Sequence, residues 1–80
     1  MKIKLLQGNF SSSESMEILT KLIQVKIQFH EQKITKASSE EEIKMREGRI
    51  KRLQDELAEA RKVIETSNTN INLNCEININ

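Results

Sequence analysis

Lys36-Ala37-Ser38-Ser39-Glu40-Glu41-Glu42 separates two long amphipathic stretches and serves as their mirror point. Folding the chain back there sets Ile34 against Ile43, His30 against Arg46, Ile27 against Ile50, Ile23 against Leu53, Leu19 against Leu57 and Met16 against Ala60. The paired numbers sum to 76 or 77 throughout, the agreement between two faces and one turn that an antiparallel helical pair requires. Local chemistry points the same way. Ser38 with Glu41, or Ser39 with Glu42, has the spacing of a capping box, in which serine and glutamate satisfy free backbone donors of a first helical turn. The three consecutive acids also suit the positive end of a helix dipole.

Upstream, Ser11-Ser12-Ser13-Glu14 repeats the capping device and predicts a helix from about Ser12 to Lys36. The second helix is expected from Ser39 to Glu65 or Thr66, with Glu47 and Lys51 as an i,i+4 surface pair. Gly48, inside it, costs about 1 kcal/mol relative to alanine and either permits a close approach or is tolerated. No proline interrupts either stretch.

The two helical faces differ in width. The second carries a narrow seam of Ile43, Arg46, Ile50, Leu53, Leu57, Ala60 and Ile64 at coiled-coil spacing. The first carries a matching seam and a second stripe of Ile18, Leu22, Val25 and Phe29, an apolar arc wider than one partner helix covers. The expected fold is therefore all-α: an antiparallel two-helix, coiled-coil-like hairpin over residues 11–67, dimerising into a four-helix bundle. Residues 1–10 are read as a lead-in ending in the turn signal Gly8-Asn9. Residues 68–80 alternate asparagine with isoleucine, leucine or cysteine and are expected to be a flexible or short β-like tail. If that tail is a strand, Ile3 and Leu5 supply the alternating partner.

The chemistry available is sparse. Eighty residues with 13 basic and 12 acidic side chains carry no overall bias toward polyanions. Two phenylalanines are the only aromatics, too few for a base-stacking platform. His30 is the single histidine and Cys75 the single cysteine, which is not a metal ligand set. His30 reads as part of a polar layer with Arg46 and Glu42 or Glu47, fixing register. No glycine-rich phosphate loop or nucleophile–base pair is visible, so no catalytic residue, cofactor or metal is expected. One cysteine excludes an internal disulfide and suits the cytoplasm, and no run approaches the ~20 apolar residues of a membrane span.

The functional expectation is a small non-catalytic interaction protein: a homo-oligomer, with a dimer favoured, or a chain that binds another helical protein. Ile18, Leu22, Val25 and Phe29 would form the contact surface. The alternative is a nucleic-acid-associated regulator in which Lys44, Arg49, Lys51 and Arg52 touch the phosphate backbone.

Overall fold

A computed structural model describes all 80 residues. It has the order β1 (Lys2–Phe10), α1 (Ser12–Lys33), α2 (Glu40–Glu65) and β2 (Ile71–Asn78). Helices hold 60% of the chain and strands 21%, so the fold is α+β rather than an all-α hairpin.

The helices begin where serine can cap them. Ser11 Oγ accepts from the Glu14 N–H at 3.1 Å, and Glu14 Oε1 accepts from the Ser11 N–H at 3.0 Å, a complete capping box. Ser39 Oγ accepts from the Glu42 N–H at 3.1 Å and opens α2. α1 stops at Lys33, three residues before the expected end, because Ile34 turns to extended backbone. Ser38 then closes the corner: its hydroxyl accepts from the Thr35 N–H at 3.0 Å and donates to the Lys33 carbonyl at 3.4 Å. At the other end of α2, Thr66 Oγ1 donates to the Lys62 carbonyl at 2.9 Å.

α1 and α2 lie antiparallel. Arg46 meets His30 near the loop, and Ser12 Oγ approaches the Ile64 carbonyl at 3.5 Å near the open end, both at the mirror sum of 76. Leu53 and Ile64 are the only buried apolar side chains; Leu19, Ile23, Ile27, Ile50 and Leu57 along the seam are half-buried.

The chain ends correct the expectation most sharply. The lead-in and the tail pair as an antiparallel two-stranded sheet, with Leu6 opposite Cys75, Gly8 opposite Leu73 and Phe10 opposite Ile71. The terminal ammonium group of Met1 donates to the Ile79 carbonyl, and the Ile79 N–H to the Met1 carbonyl, both at 2.7 Å. Ladder hydrogen bonds override the low strand preference of asparagine, and its side chains point to the exposed face. Gly8-Asn9 is not a turn. Gly8 uses its freedom inside β1, at φ 148°, in a backbone region that other residues rarely enter.

A bulge between Lys4 and Leu6 brings Ile3 and Leu6 onto one face although they differ in parity. The inner face of the sheet then reads Ile3, Leu6, Gly8 and Phe10 on β1 and Ile71, Leu73, Cys75 and Ile77 on β2. Leu5, the extra residue, is half-exposed.

This ribbon overturns the coiled-coil and four-helix-bundle expectation. The second stripe of α1 was to be covered by helices of another copy. Instead the chain's own sheet packs against its first half.

Candidate functional site

Two clefts carry the candidate residues. The first is apolar and lies between α1 and the sheet, about 220 Å³ in volume, lined by Ile18, Leu19, Leu22, Leu6, Leu73 and Cys75 among others. Ile18 and Leu22 come from the stripe read as a contact surface, and here they face β1 and β2 of their own chain. Val25 and Phe29 lie beyond this cleft. Val25 is 65% exposed.

Phe29 is half-exposed and differs in character. Lys33 Nζ stands 5.4 Å from its ring centroid and the Arg46 guanidinium 5.9 Å, within cation–π range. The His30 ring meets its edge at 5.6 Å. Its exposed area is thus partly roofed by charge. The four-residue stripe divides into a half-buried Ile18 and a partly exposed Leu22 beside the sheet, an open valine and a cation-capped phenylalanine.

The second cleft is polar, about 290 Å³, and is lined by Lys26, His30, Arg49, Arg52, Leu53 and Glu56. His30 is 4% exposed and its Nδ1 lies 3.0 Å from an Arg46 guanidinium nitrogen. A guanidinium can only donate, so Nδ1 accepts and the proton of the neutral ring sits on Nε2. Burial lowers the His30 pKa from its ordinary value of 6.5, and Arg46, Arg49 and Lys26 lower it further. The expected closure of this layer by Glu42 or Glu47 does not occur. The one ion pair in the chain is Lys21–Glu17 at 3.0 Å on the surface of α1, in place of the anticipated Glu47–Lys51.

Arg49 and Arg52, two of the four candidate phosphate contacts, meet at this cleft; Lys44 and Lys51 are exposed elsewhere on α2. Lys26 joins them from α1, outside the basic run of α2. The signal was available: the mirror sum places Lys26 opposite Ile50, next to Arg49.

No protein-family model, curated protein or solved structure matches this chain. No three histidine, cysteine, aspartate or glutamate side chains gather as a metal site. Cys75 is a free, half-buried thiol on the inner face of β2. No helix is long and apolar enough to cross a membrane.

Proposed function

We propose that this is a non-catalytic interaction protein that works by associating with a second copy of itself, through surface its own fold leaves uncovered. One observation carries this reading: only 4 of 80 residues are buried. The accessible surface is 6538 Å². A compact monomer of 9.3 kDa exposes about 5,000 Å². The excess of about 1,500 Å² exceeds the ~800 Å² that one partner contributes to a standard interface. Val25 and the exposed edge of Leu22 on α1 are the contact residues retained from the stripe. Phe29 contributes its open side. The single cysteine suits a reducing compartment such as the cytosol.

Val25→Glu tests it, because Val25 is largely exposed and the fold should survive. Burying a valine stabilises by about 1.5 kcal/mol or more, so the dissociation constant of the self-complex should rise about tenfold or more. Sedimentation equilibrium reads this directly, with far-ultraviolet circular dichroism to check helix content. An unaltered dissociation constant rejects the α1 contact.

The convergence of Lys26, Arg49 and Arg52 on one cleft supports a second reading, contact with a polyanion backbone. Such binding weakens steeply between low and moderate salt. A chain that leaves duplex DNA and RNA unbound at low salt removes it.

A further inference from the structure

The free edge of β2 is the strongest feature that the fold does not use. β2 pairs only with β1, so its other side presents unpaired backbone donors and acceptors. The two outer edges are unequal. β1 is protected by Lys2, Lys4, the bulge at Leu5 and the unusual backbone of Gly8, all features that block strand addition. β2 has eight regular residues with no lysine, proline, glycine or bulge.

The reciprocal bonds between Met1 and Ile79 set the phase of this strand. Odd-numbered residues turn their N–H and C=O groups toward β1, so Asn72, Asn74, Glu76 and Asn78 turn theirs outward.

We propose that β2 of a second copy docks on this edge, antiparallel and centred on Cys75, extending the sheet to the order β1–β2–β2–β1. This deepens the self-association reading above and rests on it. The paired length, counting Ile79, runs from 71 to 79, and its midpoint is Cys75. That register sets Ile71 against Ile79, Leu73 against Ile77 and Cys75 against its own counterpart on the inner face. On the outer face Asn72 meets Asn78, and Asn74 meets Glu76, so no like charges are opposed. Centring on Glu76 would oppose two carboxylates. A one-residue slip would set an apolar residue against a polar one at every pair along the strand.

The exposed Ile77 and Ile79, at 42% and 51%, gain apolar neighbours. A two-fold axis normal to the sheet also places both copies of α1 on one side, so their uncovered faces share that side. The guarded β1 edges then end the sheet, and the assembly closes as a dimer rather than growing.

The full chain under reducing conditions should sediment at twice 9.3 kDa. Asn74→Pro removes an outward N–H without touching the β1 ladder, and should sediment as a monomer with its helix signal intact. In the predicted register the two Cys75 residues form a close, non-hydrogen-bonded pair, within disulfide reach. Diamide, which accepts two electrons and two protons as two thiols join, should cross-link the wild type rapidly. The double variant Cys75→Ser, Ile77→Cys places its thiols roughly 13 Å apart along the strands, beyond disulfide reach, and should cross-link far more slowly.

If Asn74→Pro stays dimeric, the edge pairing is overturned while self-association through α1 stands. Equal cross-linking of the two thiol positions overturns the register, and decides the matter alone if Asn74→Pro does not fold. A wild-type monomer at every concentration overturns both readings.

Discussion

Ser15 and His30 are the two polar side chains that the fold buries, and they behave oppositely. The Ser15 hydroxyl is fully enclosed and has no hydrogen-bond partner. A buried polar group without a partner costs about 1–3 kcal/mol, and serine is also a weaker helix former than alanine. Ser15→Ala should therefore stabilise the chain by roughly 1 kcal/mol, an increase in melting temperature of about 4–8 °C. A lower melting temperature would show that the hydroxyl has an ordered water as its partner. His30, by contrast, accepts from Arg46 and is held neutral by burial and three cations. Its folded pKa lies below the ordinary 6.5, so the unfolded chain binds more protons between those two values. The stability this neutrality supplies is complete above pH 6.5 and is lost as pH falls through that value toward the folded one. His30→Leu should keep the fold and flatten that loss. Melting curves between pH 7.5 and 5.5 compare the two chains; parallel slopes would mean that another group carries the acid sensitivity.

At the scale of elements, Gly48 offers the simplest gain. A methyl group built there meets nothing within 4 Å, so the residue serves no close approach. Gly48→Ala should stabilise α2 by about 0.5–1 kcal/mol, read as a shift in the denaturant midpoint. A destabilised variant would reveal a contact at that face in the associated protein. The helices themselves were readable from sequence because their signals are local: serine caps, acids in the first turn and a seam with constant sum. The strands were legible only in part, as an alternating tail with a conditional partner around Ile3 and Leu5, for two reasons. Their pairing joins the two ends of the chain, a separation over which local periodicity carries no information. The bulge also breaks the alternation of β1, so that Ile3 and Leu5 look like the inner pair whereas Ile3 and Leu6 are. The stripe on α1 depends on the same end-to-end pairing: β1 and β2, rather than a second hairpin, lie beside Ile18 and Leu22 and cover them in part. Of the basic residues, only Arg49 and Arg52 proved to converge, and they do so with a lysine from the other helix.

For the molecule as a whole, shape is the decisive quantity. Its Cα radius of gyration is 15.4 Å and its thinnest extent 14 Å. A compact 80-residue domain has a radius of roughly 12 Å, so this chain is a thin, extended body with little interior. Two buried apolar side chains form a small core for 80 residues, and a second copy would add apolar contact where the first leaves it open. Stability and assembly are then linked by mass action: the melting temperature rises with protein concentration whenever the associated form is the stable one. A hundredfold dilution from a concentration well above the dissociation constant should remove about 2.7 kcal/mol of stabilisation per dimer, lowering the melting temperature by several degrees. Fluorescence offers no intrinsic tryptophan or tyrosine to follow, so circular dichroism in cells of different path length is the measurement. The same dilution series on Val25→Glu should give a flatter dependence, since weaker association leaves less stabilisation to lose. A wild-type melting temperature independent of concentration would mean that the slender monomer is stable alone, and that its excess surface belongs to a different partner.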